Sequence, residues 1–124
     1  MSVQPLTVLT EEEQMFRQQV RDFAYKEVAP LVAEMDANAK MEPSLFPKLF
    51  NNGFMGVEIP EEYEGPGGTF FESILAIEAL ATVDPSVSVM VDVQNTLVNN
   101  ALINYGNEEQ KAHYLPKMVS EWIG

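Results

Sequence analysis

The sequence predicts an all-α protein, a bundle of about five helices in one domain of 124 residues. Three observations support this fold class. Residues typical of helix N-caps stand at Thr10, Thr69, Asp84 and Asn107, and apolar residues at helical spacing follow most of them. The stretch 60–68 holds two prolines and three glycines, which predicts a loop between two helices. Apolar residues make up 46% of the chain, a globular profile.

The first half of the chain contains two predicted helices. Thr10 forms a capping box with Glu13 at the start of the first, where three successive glutamates complement the helix dipole. Because a proline lies inside this helical pattern, we expect a kink or break over Val28–Leu31. A short second helix is predicted over Pro43–Asn52, and Gly53 is expected to end it in a left-handed cap.

The second half begins and ends with a capped helix. The third helix of the chain opens at Thr69, with a capping box through Glu72, and stops before the next predicted N-cap. The short final helix starts from a capping box between Asn107 and Gln110 and runs to about Val119.

The fourth predicted helix contains a segment with a competing pattern. Asp84 as N-cap and Pro85 at the first helical position mark its start, and Gly106 closes it after Tyr105. Within it, Val87–Val93 is rich in β-branched residues. The local pattern therefore favours a strand and a helix about equally there.

Charge and cysteine content exclude several classes of partner and site. Nineteen acidic and seven basic side chains give a net charge of −12, which repels nucleic-acid phosphates and anionic lipid. No apolar run approaches the roughly 18 residues of a membrane span. The absence of cysteine excludes disulfides, thiolate metal sites and a cysteine nucleophile. We therefore expect no nucleic-acid partner and no membrane span.

Two motifs with the look of active-site elements are better explained as structure. The segment 65–68 (Gly-Pro-Gly-Gly) lacks the glycine spacing of a dinucleotide fingerprint, and Pro66 has no N–H to offer a phosphate. We expect a structural turn there. His113 is the only histidine and has Gln110, not glutamate, three residues before it, so a carboxylate-bridged metal pair cannot form. We assign no metal ligand, no catalytic residue and no cofactor-binding residue.

The amides of the fourth helix admit two interpretations. Four of them interrupt an otherwise apolar segment: Gln94, Asn95, Asn99 and Asn100. They form either an exposed polar face of an amphipathic helix, or the polar edge of a ligand cavity. The apolar wall of that cavity would be Val91, Val98 and Leu102. The residues alone favour the exposed face, and the cavity stays open as the alternative.

The order and spacing of several short motifs resemble the acyl-CoA dehydrogenase family. Nearly the whole chain takes part, from about Leu9 to Gly124. The matching segments are 9–13 (LTEEE), 28–36 (VAPLVAEMD), 53–57 (GFMGV), 60–65 (PEEYEG), 77–81 (IEALA), 93–97 (VQNTL) and 105–111 (YGNEEQK). Segments 35–42 and 93–97 are most similar to the short/branched-chain members.

This resemblance implies the N-terminal helical-bundle domain of the acyl-CoA dehydrogenase fold over residues 1–124, with the β-domain and the C-terminal helical domain absent. It also implies a helix over Val87–Val93. Enzymes of this family oxidise acyl-CoA thioesters to 2-enoyl-CoA: a glutamate removes the α-proton, and the β-hydrogen leaves as hydride to FAD. Their electrons pass to an electron-transferring flavoprotein. No catalytic glutamate can be assigned here, so we expect this fragment alone to bind no FAD and to be inactive.

The resemblance also assigns a substrate-binding surface. Position by position, Gln94, Asn95, Val98 and Leu102 match residues that line the acyl tail in relatives, and the apolar Val98 suits a short or branched acyl group. A homo-oligomer is implied, in the mitochondrial matrix of a eukaryote or otherwise in the cytoplasm, and we expect no targeting segment in this chain. The alternative is a non-catalytic helical interaction domain that keeps the dehydrogenase scaffold.

Overall fold

The computed structural model describes residues 3, 5 and 7–121, and these residues contain helices and no strand. The α-helices are α1 (Glu11–Phe23), α2 (Val32–Asn38), α3 (Leu45–Asn51), α4 (Phe70–Ala81), α5 (Pro85–Asp92), α6 (Asn100–Tyr105) and α7 (Glu108–Ser120). Two segments are π-helical, Ala24–Val28 and Val93–Asn99, and two turns are 3₁₀-helical, Ala29–Leu31 and Glu61–Tyr63. Because α5, the second π-helical segment and α6 follow one another without a break, we call residues 85–105 the central helix. The predicted fold class is confirmed.

Side-chain caps are present at the helix starts that the sequence predicts. Thr10 Oγ1 accepts a hydrogen bond from the backbone N–H of Glu13 at 3.1 Å, and the Glu13 carboxylate accepts one from the N–H of Thr10 at 2.9 Å. Asn107 and Gln110 form the same reciprocal pair. At Thr69 only half of the predicted box forms, because its hydroxyl accepts from the N–H three residues later without the return bond.

The predicted kink at the end of the first helix is confirmed. The chain passes through the π-helical segment Ala24–Val28 and the 3₁₀ turn Ala29–Leu31 before α2 resumes the regular form. Pro30 explains the change, since it has no N–H to donate within a helix. Gly53 follows the second predicted helix with φ +77°, as expected for a left-handed cap. Ala39, which ends α2, is also left-handed, with φ 49° and ψ 42°.

The ambiguous segment Val87–Val93 is helical. The Asp84 carboxylate accepts from the N–H of Ser86 at 3.2 Å, and a proline occupies the first helical position, as predicted. Val87 and Val91, one turn apart, are both fully buried. Burial at helical spacing therefore outweighs the β-branched composition here. The π-helical segment that follows was not predicted.

Two apolar clusters hold the helices together. The larger one joins α1, α3, α4 and α5, with the Phe54 ring edge-on to Phe23 at a centroid distance of 5.2 Å. The smaller one joins the loop after α3 to α7; its buried members are Ile59, Tyr63, Leu115 and Met118. Within the part of the chain that the structure describes, no helix combines the length and apolar character needed to cross a lipid bilayer.

Candidate functional site

The central helix presents two different sides. Three of its aliphatic side chains are 57%, 40% and 62% accessible and form what we call the apolar face: Val89, Val93 and Leu97. Three of its amides are at most 5% accessible and form what we call the amide clasp: Gln94, Asn95 and Asn99. Residues two apart on a helix lie on nearly opposite sides, and residues four apart lie on the same side. The alternation of exposed Val93 and Leu97 with buried Asn95 and Asn99 follows from that geometry.

Asn95 holds the turn that follows α3. Its Nδ2 donates to the backbone carbonyl of Phe54 at 2.8 Å and to that of Val91 at 2.9 Å. Its Oδ1 accepts from the backbone N–H of Val57 at 2.9 Å. The side chain is 1% accessible, so its polar atoms are committed to contacts within the domain.

Asn99 and Gln94 extend this network. Asn99 Nδ2 donates to the carbonyl of Met55 at 2.8 Å, and Gln94 Nε2 donates to Asn99 Oδ1 at 3.1 Å. The interpretation as an exposed amide face is therefore wrong for the amide clasp. The turn 54–57 is buried, and its backbone groups need hydrogen-bond partners that water does not supply there. Asn100 is only partly buried and lies 3.4 Å from Glu58 Oε2.

Val98 and Leu102 lie elsewhere on the central helix. Both are half-buried and pack against the smaller apolar cluster. They also line an open groove of ≈ 380 Å³ between the end of the central helix and α7, with Tyr105 and Tyr114 among its other walls. The four residues predicted to bind substrate thus occupy two places. Gln94 and Asn95 are buried in the amide clasp, whereas Val98 and Leu102 line the groove.

Sequence reasoning missed the apolar face. Its three members are spaced four residues apart (Val89, Val93 and Leu97), which is the spacing of one helical side. A helical projection would have placed them opposite Asn95 and Asn99. The partly buried Glu58, which accepts a hydrogen bond from Ser73 Oγ at 2.9 Å, was missed as well.

The glycine-rich loop 65–68 does not fit a phosphate group. The N–H groups of Gly65, Gly67 and Gly68 all donate to backbone carbonyls of the preceding segment 57–60, at 2.8 to 3.1 Å. Pro66 has no N–H. The interpretation as a structural turn is confirmed, and this loop offers no cradle for the pyrophosphate of FAD.

Among the residues that the structure describes, Glu27 and Tyr63 have shifted pKa values, and both make structural contacts. The hydrogen bond from Lys48, at 2.6 Å, lowers the pKa of Glu27. The hydrogen bond that Tyr63 donates to Glu108 raises the pKa of the phenol. Neither group lies on the central helix. In the described residues, no group of three or more histidine, aspartate or glutamate side chains is placed to hold a metal ion.

Comparison with known proteins places the chain in a family. The profile described as "Acyl-CoA dehydrogenase, N-terminal domain" matches residues 10–121. Over 117 residues the chain is 50% identical to the short/branched chain specific acyl-CoA dehydrogenase, mitochondrial, of Bos taurus, covering 94% of this chain and 27% of that protein. It is 37% identical over 112 residues to an acyl-CoA dehydrogenase of Bacillus subtilis (strain 168), covering 90% of this chain and 30% of that one.

A solved structure agrees with these matches. Butyryl-CoA dehydrogenase from Megasphaera elsdenii superposes with a TM-score of 0.85 at 32% sequence identity, over 92% of this chain and 30% of that one. The chain spans less than a third of the length of each of these relatives. It belongs to the acyl-CoA dehydrogenase family, through the N-terminal domain at residues 10–121.

Proposed function

We propose that this chain serves an FAD-dependent acyl-CoA dehydrogenase, in which it contributes an apolar wall against the acyl group of a short or branched acyl-CoA thioester. The observation that carries the proposal is the apolar face of the central helix. Its three aliphatic side chains are 40 to 62% accessible on a helix that buries the three amides of the clasp. Covering them with an aliphatic acyl group releases water from both surfaces. Each buried methylene contributes about 0.8 kcal/mol.

In this proposal the apolar wall binds and orients the acyl group, and it takes no part in making or breaking covalent bonds. We propose Val98 and Leu102 as further contributors, because they are half-buried and line an open groove. Gln94 and Asn95, which the resemblance assigned to substrate, act in our proposal through the amide clasp. The short or branched acyl group is supported by the name of the bovine relative.

FAD would supply the hydride acceptor in such an enzyme. Because the glycine loop turns its N–H groups inward, we propose that parts of the enzyme outside this chain hold the flavin and the catalytic base. The chain alone would then be colourless and inactive. An electron-transferring flavoprotein as electron acceptor, a homo-oligomeric assembly and, in a eukaryote, the mitochondrial matrix complete the proposal.

A substitution in the apolar face tests the wall. In a full-length acyl-CoA dehydrogenase carrying this chain as its N-terminal domain, Val93→Phe adds volume where the acyl tail would lie. We expect kcat/KM for octanoyl-CoA to fall about tenfold relative to butyryl-CoA, because overpacking costs about 1–3 kcal/mol.

Val8→Phe is the matched control, since Val8 is 75% accessible and lies outside the central helix. It should leave the octanoyl-to-butyryl ratio unchanged. The same ratio in Val93→Phe and in the parent would contradict the proposed wall. A protein without dehydrogenase activity on any acyl-CoA would favour the interaction domain instead.

A further inference from the structure

We propose that Asn95 and Asn99 are positioning residues, whose side-chain amides fix the rotation of the central helix about its own axis and so set where the apolar face stands. The inference rests on the proposed function and deepens it. It assigns the choice of acyl group partly to residues that never touch the acyl group.

The contacts of the two asparagines are suited to holding the central helix at one rotation about its axis. Together they bond three backbone groups of one short turn: the carbonyls of Phe54 and Met55 and the N–H of Val57. Because neighbouring residues of a helix project in clearly different directions, a shift of the helix by one residue would break all three bonds at once. An apolar contact between the helix and the turn is not directional, so it would tolerate such a shift better than these hydrogen bonds.

The turn itself is a fixed reference. The carbonyl of Val57 accepts from the N–H of Gly68 at 2.8 Å, so the loop also holds this turn. The rings of Phe16 and Phe23 both lie edge-on to Phe54, which is fully buried. The central helix is therefore aligned against backbone that the core already holds in place.

The two asparagines and the apolar face occupy the same part of the central helix. Asn95 and Asn99 lie in the π-helical segment that also contains Val93 and Leu97. The two pairs alternate along the chain and stand on nearly opposite sides. Irregular π-helical turns of this kind are frequent at functional sites. Any rotation that the clasp permits is transmitted directly to the two exposed aliphatic side chains.

A purely structural role predicts a different outcome from a positioning role. Loss of stability lowers the fraction of folded enzyme, and this lowers the rate with every acyl-CoA by the same factor. A displaced wall changes the fit of long and short acyl groups unequally. The ratio of kcat/KM between two acyl lengths, which does not depend on the folded fraction, separates the two roles.

The experiment uses a full-length acyl-CoA dehydrogenase that carries this chain as its N-terminal domain. Asn99→Asp removes the donor to Met55, and Gln94→Met is the milder variant, which removes only the bond that orients Asn99. Asn104→Asp is the control, since Asn104 is exposed on the same helix. We expect the butyryl-to-octanoyl ratio to change at least fivefold in Asn99→Asp and about twofold in Gln94→Met, with no change in the control.

The outcomes separate this inference from the proposed function. If Val93→Phe changes the ratio and neither clasp variant does, the positioning role is overturned and the wall stands. If Val93→Phe and the clasp variants all leave the ratio unchanged, the wall fails and the positioning role fails with it. Should Asn99→Asp not fold, Gln94→Met alone decides, and an unchanged ratio there overturns the inference.

Discussion

Tyr63 donates its hydroxyl hydrogen to the carboxylate of Glu108 at 2.9 Å, a contact between residues 45 positions apart in the sequence. The contact joins the 3₁₀ turn after α3 to the first turn of α7. Lys111 Nζ lies 3.7 Å from the other Glu108 oxygen. The Tyr63 ring is 9% accessible and belongs to the smaller apolar cluster. The hydrogen bond therefore closes the edge of that cluster.

This contact predicts a loss of stability at alkaline pH. The hydrogen bond to Glu108 raises the pKa of Tyr63 above its usual value of 10.0, because a phenolate cannot donate and is repelled by the carboxylate. Since the pKa is higher in the folded state, the contribution is complete below pH 10.0 and is lost as the pH rises through the folded-state pKa. Urea titrations between about pH 7 and 11 measure this loss.

In those titrations the free energy of unfolding of Tyr63→Phe should fall less steeply above pH 10.0 than that of the parent. Tyr105→Phe is the control, because Tyr105 is 89% accessible, and it should follow the parent. Parallel curves for the parent and Tyr63→Phe would show that the hydrogen bond does not couple to folding.

Replacement of Gly65 or Gly53 by alanine should lower the free energy of unfolding by two different amounts. A Cβ at Gly65 would stand 2.0 Å from the carbonyl oxygen of Ile59, so the loop backbone must move. At Gly53 nothing lies within 4 Å, and only the positive φ of +77° opposes a side chain. We expect Gly65→Ala to destabilise by about 3 kcal/mol and Gly53→Ala by about 1 kcal/mol in urea unfolding. Equal costs would mean that the loop yields freely at Gly65.

The helix boundaries could be predicted because their causes are local. The capping boxes at Thr10 and Asn107 connect residues three apart. The Asp84-Pro85 start and the Pro30 kink depend on one or two residues each. Interactions of this range are visible in the sequence as fixed spacings.

The amide clasp could not be predicted because its partners are remote. Asn95 bonds to Val57 and Phe54, which lie 38 and 41 positions away. An amide in a helical pattern is by default assigned to solvent, since burial of an amide costs free energy unless it finds partners. The partners here are backbone groups of a buried turn, and no residue type marks such a turn. The sequence therefore could not show that Gln94 and Asn95 are buried, and their assignment to an acyl contact stays a prediction.

Replacement of Ala39 by glycine should stabilise the fold. Its φ of 49° is left-handed, a conformation that is strained for alanine and free for glycine. Ala39→Gly should therefore raise the free energy of unfolding by about 0.5–1 kcal/mol. Ala37→Gly is the matched control, because Ala37 is exposed inside α2 and glycine there should destabilise by about 1 kcal/mol. Two variants that both destabilise would contradict a left-handed Ala39.

The apolar face also predicts self-association of the chain as a separate protein. Three aliphatic side chains in a row on one helix, 40 to 62% accessible, form a surface that monomers tend to cover. The net charge of −12 opposes aggregation but not a specific dimer. Leu97→Lys places a charge on the most exposed member of this surface and should shift sedimentation toward the monomer. Met15→Lys makes the same charge change on α1, at a residue 72% accessible, and should leave the association constant unchanged. A parent chain that sediments as a monomer at high concentration would refute the prediction. If both variants lower the association constant equally, the association depends on charge rather than on the apolar face.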